Sequence, residues 1–304
     1  MGRIAAGVVL YNPDDVSRVV SGLSAITKQV DRIYLFDNSI EDISITFPAN
    51  MTYIRENGNK GIAYALNRII EKAESEGYEW LVTMDQDSVI PVGLIAAFER
   101  HTESANLGII CPQVIDSRRS YMEIKKEPKE EFIDFCITSA SCTSISAWKN
   151  VGKFDEWLFI DLVDNDFCKR IVSSGYKILR LNDYVLDQEF GKIIPKSERT
   201  QIFWNKVAKT LHNKNLGKFG YKKFVSPMRV YYTCRNVVYC NRKYKNLGGI
   251  GYKDNYNCNT FIGFIISFVL PSIVRGKHKV EILKAAIKGI LEGKKAKMIP
   301  WKPK

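Results

Sequence analysis

An open, mainly parallel α/β sheet with helices on both faces is the fold class this sequence predicts, and three observations predict it. Apolar runs of strand length alternate with segments of helical periodicity. The early strands end in clusters of polar residues. The 304 residues, 45% hydrophobic and 26% charged, suffice for one large α/β domain with extensions or for two modest domains.

Residues 4–11 are a continuous apolar run, as expected of a strand buried on both faces. Asn12-Pro13-Asp14-Asp15 turns the chain into a helix with Val16, Val19, Val20, Leu23 and Ile26 at helical spacing. Residues 32–36 form a second strand ending in Asp37-Asn38-Ser39, and residues 51–54 a third. The run Asn57-Gly58-Asn59-Lys60-Gly61 then opens a helix with Ile62, Leu66, Ile69, Ile70 and Ala73 on one face. Residues 80–84 make a fourth strand ending in Asp85-Gln86-Asp87. Sheets of this kind bind ligands at the carboxyl ends of their strands, where these polar clusters fall.

Composition removes several classes of function. Seven scattered cysteines without a CxxC pair argue against a disulfide framework or a zinc ribbon, and fit a reducing cytoplasm. Three histidines exclude a histidine-rich metal centre. No GxxxxGK[ST] and no GxGxxG follows the first strand, so ATPase and dinucleotide-oxidoreductase readings lose their required parts. The N-terminal apolar run is too short for a signal peptide, so a cytosolic protein is expected.

The Asp85-Gln86-Asp87 element can present carboxylate oxygens to a hard divalent ion, which typically keeps one or two carboxylates plus substrate phosphates as ligands. A second acidic constellation holds Asp161, Asp164 and Asp166, the last two near the start of a helix running to about residue 174. Helix-capping carboxylates favoured by the helix dipole are one reading of that pair. The other is a general base for an acceptor hydroxyl with a neighbouring carboxylate beside it.

Taken together and in order, VVLYN, FDNS, ENGNKGIAYALN, VTMDQDS, VGKFDEWLFIDLVDNDFCKR and MRVYYTCRN resemble the family 2 inverting glycosyltransferases of GT-A fold, closest to bacterial rhamnosyltransferases. The resemblance spans roughly residues 4–240. It implies that Tyr11, Asp37 and Asn38 hold the base and ribose of a sugar nucleotide. Asn59 and Gly61 would shape the nucleotide pocket, with Asn67 one turn further. Asp85 and Asp87 would hold Mg²⁺ or Mn²⁺ and the diphosphate. Asp164 matches the catalytic base and Asp166 the adjacent acidic position. Gln188 stands in Gln188-Glu189-Phe190-Gly191 where the family usually has a histidine near the metal; an amide oxygen can still ligate a hard ion. The implied donor is dTDP-rhamnose, with galactofuranosyl or other UDP-hexose transfer as the alternative, and the implied acceptor a saccharide, expected to be lipid-linked. A non-catalytic nucleotide-sugar-binding protein is the reading from another class, disfavoured because the DxD pair and the candidate base are both present.

Charge divides the chain. Residues 1–191 carry 20 Lys+Arg against 29 Asp+Glu, residues 192–304 carry 25 against 4. A catalytic domain over residues 1–220 and a basic helical region over 221–304 are expected. Met228–Asn236 fits a helix with Arg229, Tyr232 and Asn236 on one face, Arg229 being the candidate substrate contact. Residues 261–274 are apolar but too short to span a bilayer, which takes about 20 residues. Beyond them, Ile282, Leu283, Ala286, Ile287, Ile290 and Leu291 form an apolar helix face opposed by Lys277, Lys284, Lys288 and Lys295. This pattern predicts peripheral attachment to an anionic membrane surface, at the inner face of the cell membrane. An amphipathic helix packed on the domain is the plainer reading. Nucleic acid is not expected as a partner, because no helix-turn-helix, RNA-binding or zinc signature accompanies the lysines.

Overall fold

Seven buried residues in a row, Ile4–Leu10, form β1, the strand about which the sheet is organised. The computed structural model describes the chain apart from residues 1, 42–49, 57, 120–121, 192, 213, 224, 249, 255 and 304. After β1 come α1 (Val16–Thr27), β2 (Ile33–Asp37), β3 (Met51–Arg55), α2 (Ile62–Ser75) and β4 (Trp80–Asp85). Then follow α3 (Leu94–Glu99), β5 (Leu107–Ile115), β6 (Glu130–Ile133), β7 (Ser141–Ser144), α4 (Ile145–Val151), α5 (Val163–Ser173) and β8 (Lys177–Asp187). The basic third contributes β9 (Ile193–Pro195), α6 (Glu198–Thr210), β10 (Tyr221–Lys223), α7 (Pro227–Lys243), α8 (Phe261–Phe264), α9 (Leu270–Arg275) and α10 (Lys279–Lys295).

The eight-stranded sheet runs β3-β2-β1-β4-β7-β5-β8-β6. β3, β2, β1 and β4 are parallel, as expected, and β5 pairs parallel with β8. Antiparallel β7 separates these two blocks, and antiparallel β6 closes the edge, so the sheet is mixed. The order reverses between β1 and β4, which opens a crevice at their carboxyl ends. Register aligns Leu10 with Asp37 and Val9 with Asp85, bringing the polar strand ends to one edge.

Side chains from α1 and α3 bury one face of the sheet. The other face is covered by α2, α4 and α5, and that buried cluster continues into α7 and α10. Asp15 caps α1 by accepting the Ser17 N–H at 2.9 Å. In α1, Gly22 lies against the Ser88 backbone, where a Cβ would stand 2.7 Å from the carbonyl oxygen. The missing side chain thus lets the helix rest on the loop that follows β4.

α10 packs on α7 through Ile282, Ala286, Gly289 and Gly293. A Cβ at Gly289 would meet the Tyr231 carbonyl at 2.3 Å, and one at Gly293 the Arg235 carbonyl at 2.4 Å. The expected single apolar face of α10 is therefore split. Ile282 and Ala286 are buried against the protein, while Leu283, Ile287 and Leu291 are exposed. All seven cysteines are thiols, six of them buried. Among the described residues no helix is long and apolar enough to cross a membrane.

Candidate active site at the β1–β4 crevice

The two halves of the Asp85-Gln86-Asp87 turn do different work. Gln86 accepts the Tyr11 N–H at 2.8 Å and returns its own N–H to the Tyr11 carbonyl at 3.2 Å. It thereby staples the end of β1 to the end of β4 across the crevice. Tyr11 is left with an exposed side chain on a fixed backbone. Asp85 is half-buried, and its carboxyl is pushed up to about 6, first by burial and then by the charge of Asp87, against a lowering contribution from Gln188. Gln188, on the loop after β8, donates its amide N–H to Asp85 Oδ2, and its Oε1 is buried without a partner.

That orphaned oxygen bears on the implied metal. Among the described residues no group of three or more His, Cys, Asp or Glu side chains is placed to hold an ion. Asp85, Asp87 and the Gln188 amide nevertheless form an all-oxygen donor set. Turning the amide end for end would offer Oε1 to a cation beside Asp85 and satisfy it. The residues present fit a hard divalent ion.

Asp164 lies in the first turn of α5, half-buried. Its Oδ1 accepts the Asn165 N–H at 2.9 Å. Burial first, then the charges of Asp161 and Asp85, lift its carboxyl to about 6. The electrostatic link to Asp85 ties the candidate base to the DxD turn. The loop that delivers it is strained: Asp161 and Leu162 have φ of 69° and 61°. α7 holds this loop from the other side. Asn236 donates to the Ile160 and Asp161 carbonyls at 2.7 and 2.8 Å, and Arg235 to the Trp157 carbonyl at 2.6 Å. Arg229 pairs with Asp161 at 2.6 Å, which places it beside the base loop. Tyr232 stacks on Phe159, with ring centroids 5.2 Å apart.

Gly61 makes a contact that no other residue could make there. With φ of 90° it begins α2 directly against Phe159, whose carbonyl a Cβ would approach to 2.7 Å and which accepts the Ile62 N–H at 2.8 Å. Asn59 accepts the Gly61 N–H at 2.8 Å, and buried Asn38 bonds the Lys60 N–H and the Gly61 carbonyl. Asp37, also buried, accepts from Tyr53 at 2.6 Å, Arg55 at 3.0 Å and the Ser39 N–H at 2.8 Å. Asn38, Asn59 and Asp37 therefore line the expected edge while also bracing it. Asn57 lies outside the described residues.

Two expected site residues belong elsewhere. Asn67 donates to the Phe154 carbonyl and to Glu156, and accepts from Trp148 and the Phe154 N–H. Four bonds fill an amide's capacity, so nothing remains for a nucleotide. Asp166 is fully buried and accepts two bonds from Arg170, one from Lys243 at 2.6 Å and one from Tyr244 at 2.7 Å. Burial alone would raise its carboxyl; the charges of Arg170 and Lys243 outweigh that and hold it low. It is the centre of a structural ion cluster that locks α5 to α7. Sequence reasoning gave no role to Gln86 or Arg235, and named Asp161 only as a third carboxylate in the acidic run.

Comparison with known proteins follows the same lines. A family model described as Glycosyl transferase family 2 matches residues 8–156. The chain is 25% identical over 312 residues to the dTDP-rhamnosyl transferase RfbF of Shigella flexneri, covering 96% of this chain and 95% of that protein. Its fold is similar to that of TarS 1–349 from S. aureus, with a TM-score of 0.50 and 12% identity over 96% of this chain and 89% of the other. It is also similar to GalNAc-T7 solved with UDP, GalNAc and Mn²⁺, with a TM-score of 0.51 and 12% identity over 89% of this chain; the match spans 57% of that longer chain. Residues 8–156 are a family 2 glycosyltransferase domain on a GT-A fold, and the chain is a glycosyltransferase.

Proposed function

We propose that the protein transfers L-rhamnose from dTDP-rhamnose, with inversion at the anomeric carbon, to a hydroxyl of a lipid-linked saccharide at the cytoplasmic face of a membrane. The observation that carries the transfer chemistry is the half-buried carboxyl of Asp164 in the first turn of α5, at the end of the strained loop, raised to about 6 by burial first, then by Asp161 and, least, by Asp85. A base of that strength is ionised at neutral pH yet basic enough to take a hydroxyl proton as it is lost. The rhamnosyl donor is supported by the end-to-end similarity to RfbF.

In this reading Asp164 accepts the acceptor's proton while the acceptor oxygen attacks the anomeric carbon. The bond from that carbon to the diphosphate breaks on the opposite face, and the nucleoside diphosphate leaves. Asp85, Asp87 and the Gln188 amide oxygen would hold Mg²⁺ or Mn²⁺, which when bound supplies positive charge for the leaving diphosphate. Tyr11, with Asp37, Asn38 and Asn59, lines the nucleoside end. Gly61 keeps that end in register with the base loop, and Arg229 holds Asp161 next to the base.

The test is a donor panel of thymidine- and uridine-linked sugars, read by calorimetry and by mass spectrometry of the product. Rhamnosyl transfer from dTDP-rhamnose, lowered by about 10²–10⁴-fold in Asp164→Asn with donor binding retained, is expected. Turnover confined to a UDP-hexose would overturn the donor assignment. Calorimetry of dTDP with and without Mg²⁺ should show a metal-dependent gain in affinity that Asp87→Ala removes.

A further inference from the structure

Eight aliphatic side chains stand out of the basic third in two rows. Along α8, the π-geometry turn that follows it, and α9, Ile262, Ile266, Leu270 and Val274 recur every fourth residue. Along α10 the row is Val280, Leu283, Ile287 and Leu291. Each of the eight is between 44% and 70% exposed. Single exposed aliphatics are ordinary, whereas an ordered set of this size marks an interaction surface.

The two rows belong to one helical hairpin. Gly276 turns the chain against Ile282, and Lys294 near the end of α10 lies 5.0 Å from the ring of Phe261 at the start of α8. Contacts settle how α10 is rotated. Ile282, Ala286, Gly289 and Gly293 face α7, and Lys288 and Glu292 reach Tyr231 on one flank. Lys294 marks the opposite flank, toward α8. Helical periodicity then sets Leu283, Ile287, Leu291 and Val280 in a strip between that flank and the outward pole. Lys284, Lys288 and Lys295 follow on the far side of the pole.

From this placement we infer that the hairpin over residues 261–295 is an in-plane docking surface for an anionic lipid bilayer, with the two aliphatic rows inserted and the lysines at headgroup level. Charge selects the occupant. Residues 275–304 carry ten Lys+Arg against two Glu, so a second copy of this face would meet its own charge. Nucleic acid would match the lysines but would leave the aliphatic rows in water, and the rows hold none of the aromatic side chains on which bases stack. An anionic bilayer answers both features at once. The surface differs from the face expected from sequence, since Ile282 and Ala286 are covered by α7. The inference deepens the membrane-facing part of the proposed function, and its test uses neither donor nor acceptor.

The full chain is sedimented with vesicles of phosphatidylcholine alone or with phosphatidylglycerol added. Wild type should pellet with the anionic vesicles and, at moderate salt, remain in solution with the neutral ones. Ile266→Ser with Ile287→Ser and Leu291→Ser should abolish pelleting, each aliphatic being worth roughly tenfold or more in partitioning. Lys277→Gln with Lys284→Gln and Lys295→Gln should weaken binding by about fivefold per lysine and flatten its salt dependence. All six positions lie on the exposed side, so circular dichroism and thermal unfolding of both variants should match wild type. Equal pelleting of wild type and the serine variant would overturn the inference. So would concentration-dependent dimerisation in the ultracentrifuge that the serine variant abolishes, because the rows would then join two copies. Failure of vesicle binding alongside intact rhamnosyl transfer would leave the proposed chemistry standing.

Discussion

The acidic front of the molecule and its basic third handle charge in opposite ways. At the sheet edge the polar side chains are held by hydrogen bonds: Asp37 by Tyr53 and Arg55, Gln86 by the Tyr11 backbone, Gln188 by Asp85. Along α10, by contrast, the basic side chains ride on the surface, and the helix is held by close backbone approach at Gly289 and Gly293. One region spends its polarity on fixing positions for chemistry, the other on presenting a charged face. Preorganised dipoles are what a transferase needs where charge develops, and a diffuse positive field is what a surface-bound protein needs for attraction.

The sharpest way to break this contrast is at Asp164. Asp164→Asn should lower kcat by about 10²–10⁴-fold at unchanged donor affinity, measured by single-turnover transfer and calorimetry. The same variant should be more stable than wild type at pH 8. A carboxyl raised to about 6 on folding costs stability at any pH above that value, and the cost vanishes below its unfolded value near 4. Thermal melts at pH 8 and pH 4 would show the gain and its loss. Wild-type rates at pH 7 in the amide variant would move the base to another carboxylate, Asp161 first.

Next in size is Asp166. Replacing it with Ala strands Arg170 in the interior, leaves Lys243 with Asp155 alone, and should destabilise the fold by about 3–5 kcal/mol in urea titrations. Whatever remains folded should bind donor normally, which separates a structural carboxylate from the proposed base two residues away.

A smaller effect is expected at the seam between the two regions. Gly289→Ala pushes a methyl group toward the Tyr231 carbonyl and should cost about 1–3 kcal/mol. An Ala at exposed position 287 should be nearly neutral for stability. The mildest effect is on pH. kcat/KM should fall about tenfold per unit below pH 6, because the proposed base must be ionised to accept a proton, and that acid limb should be shallower in the residual activity of Asp164→Asn, where Asp85, also raised to about 6, still titrates.

The strands β1, β2 and β4 were legible because both faces are buried and their apolar runs are unbroken; the polar strand ends followed from them. Antiparallel β7 was not legible, since Ser141–Ser144 is a short polar stretch whose burial comes from its neighbours β4 and β5. The roles of Asn67 and Asp166 were misread for a related reason. A polar residue reserved for ligand and one saturated by buried partners have the same letter, and only the partners distinguish them. In α10 the hydrophobic stripe is wider than the contact it makes, so periodicity could not say which half is covered. The glycines four residues apart, at 289 and 293, were the signal for the covered half.

The grip of α7 on both its neighbours has a consequence for how this protein can be divided or recombined. One side of α7 carries the bonds that hold the strained base loop, and the other side supplies the backbone trough for α10, with Arg242 bonded to the Gly293 and Ala296 carbonyls. The C-terminal hairpin is thus no detachable anchor. Cutting the chain before α8 would lay bare Val230, Cys234 and Val237 and slacken the helix that steadies Asp161. Grafting the hairpin from a relative with a bulkier residue at either glycine would shift α7 and, through it, the reach of Asp164. Any exchange that keeps the enzyme working would have to move α7 and α10 together, as a single inherited unit.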